Sequence, residues 1–99
     1  MEIITAKEEG KIIIDIPNSF DVVSSPHLKN ALADAVSTAD EIELDFSKTG
    51  LVTSAGLRVL LQAQKNVQAL GKKMTMKKIT PEVMGVFDMT GVSKIFDIV

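Results

Sequence analysis

The chain has 99 residues, the size of one small domain, and its 45% hydrophobic and 24% charged residues are typical of a folded globular protein. It contains no Cys, which excludes disulfides, thiolate metal sites and cysteine nucleophiles, and its net charge of -2 argues against nucleic acid as a partner. No apolar run approaches the roughly 20 residues that cross a bilayer, and the amino terminus lacks a secretory segment, so we expect one cytoplasmic domain over residues 1–99 with no membrane partner.

Two short strands are predicted near the amino terminus. Ile3 and Ile4 begin the first strand, which ends at the turn signal Glu9-Gly10. Residues 11–16 are dense in isoleucine, which favours a second strand, and Pro17 ends it. Because only a tight turn separates the two strands, we expect them to form a hairpin.

A helix is predicted over residues 26–38. Ser25 can cap its amino end, and Pro26 suits the first helical position because the missing N–H would be unpaired there anyway. Apolar residues then recur at steps of three and four, which indicates one buried stripe along the helix. The stripe consists of Leu28, Ala31, Leu32, Ala35, Val36 and Ala39.

Residues 41–46 alternate strictly between acidic and apolar side chains, which predicts a strand with one buried face. Glu41, Glu43 and Asp45 share the opposite face. Three carboxylates on one strand face could suggest a metal site, but no His or further ligand is patterned with them. The pattern therefore favours a solvated sheet face, and we expect no metal ion.

The rest of the chain alternates between helices and strands. The predicted elements are a helix from about Ala55 to Leu70, a strand that contains Met74 and Met76, a helix from Pro81 that ends by Gly91, and a strand over residues 95–98. The order β-β-α-β-α-β-α-β predicts an α/β fold, because helices between strands allow parallel crossovers while the opening hairpin makes the sheet mixed. The alternating strands place the helices mainly on one face.

Ser54 is the candidate for a catalytic nucleophile, because it stands where a strand gives way to a helix. The nucleophile elbow of hydrolases needs glycine two residues before and two residues after the serine. Gly56 is present, but Val52 occupies the other position. The only histidine, His27, lies in the first predicted helix, and no motif places a base near Ser54. The six glycines form no phosphate-binding or dinucleotide-binding fingerprint, so we expect neither catalysis nor a cofactor.

Ser54 can instead be a helix cap or a site of phosphorylation. Serine at a helix start usually caps the free backbone N–H groups. A phosphate on the same hydroxyl would add nearly two negative charges beside the positive end of the helix dipole, which the fold could tolerate. The residues alone leave both roles open.

Three segments of the chain carry a resemblance to a known family. They are Asn18-Ser19-Phe20-Asp21, the run from Leu44-Asp45-Phe46-Ser47 to Val52-Thr53-Ser54-Ala55-Gly56-Leu57, and Phe87-Asp88-Met89-Thr90-Gly91-Val92. Together with the order of strands and helices, they resemble the bacterial STAS-domain anti-sigma factor antagonists, the partner-switching proteins. The resemblance covers essentially the whole chain and implies a STAS-like mixed β-sheet with helices mainly on one face.

The resemblance also implies a regulatory switch rather than an enzyme. In that family, the unphosphorylated antagonist binds an anti-sigma factor that is itself a serine kinase, and this releases the sigma factor. Phosphorylation ends the binding, and a serine phosphatase restores it. Matched onto this chain, the acceptor is Ser54, with Thr53 as the less favoured hydroxyl. The expected partner-binding residues are Asp21, Thr53, Ser54, Gly56, Arg58 and Gln62.

The chain departs from the family pattern at two positions beside the acceptor. Thr53 stands where the family often has Asp, and Ala55 stands where it often has a second Ser. The first change removes a negative charge and adds a rival hydroxyl. It leaves open an alternative function, a STAS sensor or scaffold that binds a nucleotide or lipid without phosphorylation. Asp21 fits equally well as a partner-binding residue or as a turn or cap residue.

Overall fold

The computed structural model describes residues 5–99, in which strands and helices alternate. The strands are β1 (Thr5–Glu8), β2 (Lys11–Asp15), β3 (Ser19–Phe20), β4 (Glu41–Asp45), β5 (Leu51–Val52), β6 (Lys73–Lys77) and β7 (Asp97–Ile98). The helices are α1 (Ser25–Thr38), α2 (Ser54–Ala69) and α3 (Pro81–Thr90), followed by a 3₁₀ turn over Val92–Lys94. The predicted α/β class is confirmed, with β3 and β5 as additional short strands. The predicted strand start at Ile3 and Ile4 lies outside the described residues.

The main sheet has five strands in the order β1-β2-β4-β6-β7. β1 and β2 form the predicted antiparallel hairpin, while β2, β4, β6 and β7 run parallel. Parallel neighbours need long crossover connections, which the three helices supply. β3 and β5 pair with each other in a separate two-stranded parallel sheet. The sheet is therefore mixed, as predicted from the element order.

The hydrophobic core lies between one face of the main sheet and the helices. Alternate residues of the three central strands point into it, because successive side chains of a strand face opposite ways. These buried residues are Ile12, Ile14, Ile42, Leu44, Met74 and Met76. Phe87 of α3 packs edge-on against two further rings, with centroid distances of 6.0 Å to Phe46 and 5.4 Å to Phe96. The apolar stripes predicted for the helices thus form one continuous core with the sheet.

The opposite face of the sheet differs from its prediction at one position. Glu43 is only 9% exposed rather than solvated, and its carboxylate Oε1 lies 2.8 Å from Lys77 Nζ and 2.9 Å from Lys11 Nζ. The two lysines reach it because β4 lies between β2 and β6. Hydrogen bonds from Lys77, and to a smaller extent from Lys11, hold the pKa of Glu43 below its ordinary value, although burial alone would raise it. Glu41 and Asp45, at the strand ends, remain partly exposed.

One helix start has a side-chain cap, and two predicted caps are wrong. Thr80 caps α3, since its Oγ1 accepts a hydrogen bond from the Val83 N–H at 3.5 Å. The predicted Ser25 cap is wrong: Ser25 is the first residue of α1, and its hydroxyl donates to the Asp21 carbonyl. Ser54 is likewise the first residue of α2 and not its cap, because the capping position belongs to Thr53.

The carboxyl-terminal strand is shorter than predicted. Residues 95–98 were expected to be extended, whereas only Asp97 and Ile98 pair with β6. The 3₁₀ turn before them explains the difference, because Ile95 N–H and Phe96 N–H both donate to the Val92 carbonyl. That turn brings the Phe96 ring into the core, where the side chain is 5% exposed.

Candidate functional site

The candidate site lies at the edge of the small β3–β5 sheet. Phe20 pairs with Val52 in this parallel arrangement, and the Thr53 N–H extends it by donating to the Phe20 carbonyl at 2.9 Å. Parallel strands end at the same edge, so the segments that follow them emerge side by side. Asp21 follows β3 and Ser54 follows β5, one residue further on. The sheet therefore brings together two segments that are more than thirty residues apart in the chain.

Gly56 keeps the start of α2 tight against β3. A Cβ atom at this position would lie 2.6 Å from the Phe20 carbonyl oxygen and 2.9 Å from two carbon atoms of the Phe20 ring. Real side chains do not approach a backbone atom so closely, so glycine is required for the packing seen here. Gly56 is buried, and its first role is to set the distance between the Asp21 loop and the Ser54 turn.

Asp21 ties together the loop that it begins. Its Oδ1 accepts hydrogen bonds from the N–H groups of Val23 at 3.0 Å and Ser24 at 3.1 Å. The Ser24 hydroxyl closes the loop further, since it accepts from the Asp21 N–H and donates to the Ser19 carbonyl, both at 2.9 Å. The turn role of Asp21, one of its two interpretations, is thus observed. The partner-binding role stays a prediction.

The Asp21 loop presents two apolar side chains that the sequence reasoning missed. Val22 is 74% exposed and Val23 is 69% exposed, although both are strongly hydrophobic. Their neighbours hold the backbone through hydrogen bonds, so the two side chains point outward from a fixed loop. Two adjacent valines that interrupt a polar turn are the signal that could have identified them. Exposed apolar residues beside a polar site are common at protein interfaces.

The neighbouring hydroxyls of Thr53 and Ser54 have different environments. Thr53 is half-buried, and its Oγ1 donates to the Phe20 carbonyl at 3.3 Å. Ser54 is exposed at the first position of α2, and its hydroxyl has no hydrogen-bond partner within residues 5–99. The first turn of α2 contains no acidic residue, and no side chain caps it. The positive end of this helix dipole therefore faces solvent beside the Ser54 hydroxyl.

Arg58 and Gln62 continue from Ser54 along the exposed side of α2. The spacing of four residues places all three on neighbouring turns of one helix face. Both side chains are exposed, and the Gln62 Nε2 donates to the Asn66 Oδ1 at 3.1 Å. Arg58 makes no ion pair with any residue of the described part of the chain. Its guanidinium is thus available to an anion or to a partner.

Nothing in residues 5–99 forms a metal-binding cluster of three or more His, Cys, Asp or Glu side chains. His27 is exposed on α1. Within the same residues, no helix combines the length and the apolar character that a membrane span requires.

The sequence matches one family model over almost its full length. The model, described as "Mlab, STAS domain", matches residues 4–99. Among curated proteins, the anti-sigma-B factor antagonist of Bacillus subtilis (strain 168) is 25% identical over 92 residues, which cover 93% of this chain and 84% of that protein.

Solved structures share the fold at low sequence identity. An anti-sigma factor antagonist from Mycobacterium paratuberculosis superposes with a TM-score of 0.87 at 18% identity, covering 98% of this chain and 83% of that one. The antagonist SpoIIAA in its unphosphorylated form gives a TM-score of 0.83 at 14% identity over 99% and 88% of the two chains. The phosphorylated form of SpoIIAA, from Bacillus, gives 0.77 at 13% identity over 99% and 91%.

Proposed function

The chain belongs to the STAS domain family, and from this premise we propose that it is an anti-sigma factor antagonist switched off by phosphorylation of Ser54. In its unphosphorylated form it binds an anti-sigma factor with kinase activity and releases a sigma factor. A serine phosphatase reverses the modification. The exchange takes place in the bacterial cytoplasm, where ATP is available to the kinase.

The accessibility of the Ser54 hydroxyl is the observation that carries the proposal. It is exposed, it is free of hydrogen bonds to residues 5–99, and it stands beside the Asp21 loop. A kinase can reach such a hydroxyl without unfolding α2. Thr53 is a poorer acceptor, because its hydroxyl is half-buried and bonded to the Phe20 carbonyl. Similarity to the Bacillus subtilis antagonist, and to a fold solved in phosphorylated and unphosphorylated forms, supports a switch of this kind but does not bear on the choice between Ser54 and Thr53.

The effect of the phosphate on binding follows from electrostatics. The modification adds a charge of about -1.5 to -2 at pH 7 at the amino end of α2, where free N–H groups and the helix dipole stabilise it. The fold therefore tolerates it. A partner that covers Ser54 must instead desolvate that charge, and an unpaired charge buried at an interface costs several kcal/mol. Phosphorylation thus weakens the complex while the domain stays folded.

The proposal is tested by incubating the protein with the candidate anti-sigma kinases of its host and ATP, and then mapping the phosphate by mass spectrometry. We expect phosphate on Ser54. In binding assays, Ser54→Asp should weaken the anti-sigma complex by about tenfold or more, and Ser54→Ala should bind whether or not ATP is present.

Thr90→Asp provides the matched control, because Thr90 is an exposed helical residue on α3 whose hydroxyl bonds within its own helix. This variant adds the same charge to the domain and should leave binding unchanged. Phosphate on Thr53, or equal affinity of Ser54→Asp and Ser54→Ala for the anti-sigma factor, would contradict the switch.

A non-catalytic role is part of the proposal. A serine nucleophile needs a base in hydrogen-bond contact, and the Ser54 hydroxyl has no such partner within residues 5–99. The named relatives are regulatory proteins. Ser54 is thus better understood as the substrate of a kinase than as a catalytic residue.

A further inference from the structure

A groove of about 280 Å³ runs between α1 and α2 on the outside of the domain. Five of the nine described residues that line it are apolar. The apolar lining residues are Leu32, Ala33, Val36, Val59 and Ala63. Leu32, Val36 and Ala63 belong to the buried core, so the groove opens directly onto it.

The rim of the groove is polar and carries only positive charge. Lys29 of α1 and Arg58 of α2 line it from opposite helices, and Gln62 and Asn66 supply amide groups. Neither cation forms an ion pair within residues 5–99, and no Asp or Glu is found among the described residues that line the groove. An occupant that suits this surface is apolar where it meets the floor and acidic where it meets the rim.

We propose that this groove is a docking surface for an acidic amphipathic helix of the partner protein. Helix-in-groove recognition uses apolar anchors at positions i, i+3 or i+4, and i+7, which an apolar channel between two helices accepts. Acidic residues that flank those anchors on the partner helix would pair with Lys29 and Arg58.

The dimensions of the groove favour side chains of a helix over a small molecule. Sites for small ligands commonly have volumes of about 300–1,000 Å³ and enclose most of the ligand. The volume of this groove lies just below that range, and none of its described lining residues is aromatic, so it offers no ring on which a nucleotide base could stack.

The groove also adjoins the proposed switch. Ser54, Arg58 and Gln62 succeed one another at steps of four residues on α2, so one partner can contact the Ser54 turn and the groove together. A stable protein interface buries about 800 Å² on each side, more than a turn and a loop supply. This inference rests on the proposed function in one respect, the assignment of the docking helix to the anti-sigma factor. Binding of a helix in the groove does not itself require phosphorylation of Ser54.

The test uses the full chain, labelled with ¹⁵N, and two synthetic helix-forming peptides of equal length. Both carry leucines at i, i+3, i+4 and i+7 spacing; one has glutamate at the flanking positions and the other has lysine. We expect the glutamate peptide to shift the amide resonances of Leu32, Ala33, Val59 and Ala63, and the lysine peptide to leave them unchanged.

Two kinds of variant identify the groove as the cause. The double change Lys29→Glu with Arg58→Glu should lower the affinity for the glutamate peptide at least about tenfold. Lys48→Glu with Lys94→Glu, at two exposed lysines that do not line the groove, makes the same charge change and should have no effect. Ala33→Phe fills the groove without a change of charge and should also prevent binding. Circular dichroism checks that each variant is folded.

Several results would overturn the inference. They are absence of binding by either peptide at millimolar concentration, equal binding of both, shifts located outside the groove, and equal loss in the lysine control variant. Groove shifts that appear with oleate or phosphatidylglycerol vesicles and not with the glutamate peptide would assign the surface to lipid instead. The kinase assay on Ser54 is independent of these readouts, so failure of the switch and failure of the groove are distinguishable.

Discussion

Gly56→Ala should destabilise the protein, although alanine is the better helix former. Within a helix, alanine is favoured over glycine by about 1 kcal/mol. The new Cβ would stand 2.6 Å from the Phe20 carbonyl oxygen, a backbone atom that cannot rotate away. Overpacking of this kind typically costs about 1–3 kcal/mol and occasionally more. Because the contacted atom belongs to the backbone, the clash should cost about 2–3 kcal/mol, the upper part of that range, which leaves a net loss of about 1–2 kcal/mol in the free energy of unfolding.

The clash should also disturb the candidate site. The Phe20 carbonyl accepts the Thr53 N–H at 2.9 Å and the Thr53 hydroxyl at 3.3 Å, so a shift that relieves the Cβ contact weakens both bonds. The distance between the Asp21 loop and Ser54 would then increase. We expect weaker binding of the anti-sigma factor by Gly56→Ala even at temperatures where the variant is folded.

The measurement is urea and thermal unfolding of Gly56→Ala beside a matched variant, Gly85→Ala. Gly85 lies in α3 and is exposed, and a Cβ added to it would meet no atom within 4 Å. The same substitution there should stabilise by about 0.5–1 kcal/mol. For a chain of about 100 residues, 1 kcal/mol shifts Tm by roughly 4–8 °C, so the two variants should move in opposite directions. Stabilisation of both variants would refute the assigned role of the Gly56–Phe20 contact.

Three further variants test other parts of the structure. Lys77 and Lys11 hold the pKa of Glu43 below its ordinary value of 4.5. The ionised Glu43 therefore stabilises the fold above pH 4.5, and this contribution is lost as the pH falls through the folded-state pKa. The free energy of unfolding, measured from about pH 7 to about pH 2, should depend less on pH in Glu43→Gln than in the wild type. Thr80→Ala removes the α3 cap and should cost about 1 kcal/mol in urea unfolding. Phe87→Ala removes a fully buried ring and should cost about 3–5 kcal/mol, while Phe87→Leu, which preserves most of the volume, should cost less and stay folded for comparison by thermal unfolding.

Each of these expectations has a clear contrary result. An unchanged pH profile in Glu43→Gln would mean that the lysine pairs add no stability to the folded state. Thr80→Ala with wild-type stability would show that the cap hydrogen bond is dispensable. Equal losses in the alanine and leucine variants of Phe87 would show that ring volume is not what the core requires there.

Periodicity identified the elements whose signal is local. The isoleucine-rich second strand, the apolar stripe of α1 and the alternation around Leu44 are all found where the sequence predicts them. Such patterns are reliable because one element buries one face, and the spacing of its apolar residues records that face. The start of α3 at Pro81 was predictable for the same reason, since proline suits the first turn of its own helix.

Pairings between segments that are distant in the chain have no comparable pattern in the sequence. β3 and β5 have two residues each, too few for an alternation to be recognised, and they exist as strands because they pair with each other. The burial of Glu43 was also invisible, because it depends on lysines from two other strands. Each feature arises from contacts across the fold rather than from the order of neighbouring residues.

The sequence by itself determined the fold class, the order of most elements and the segment around Ser54 where function was expected, because these depend on local patterns and on a family resemblance. The tertiary structure decided which hydroxyl is accessible. The Thr53 hydroxyl donates a hydrogen bond to the Phe20 carbonyl, whereas the Ser54 hydroxyl is exposed at the start of α2. The tertiary structure also decided that Asp21 and Ser54 are neighbours, because β3 pairs with β5 and Gly56 lets the start of α2 lie close against Phe20.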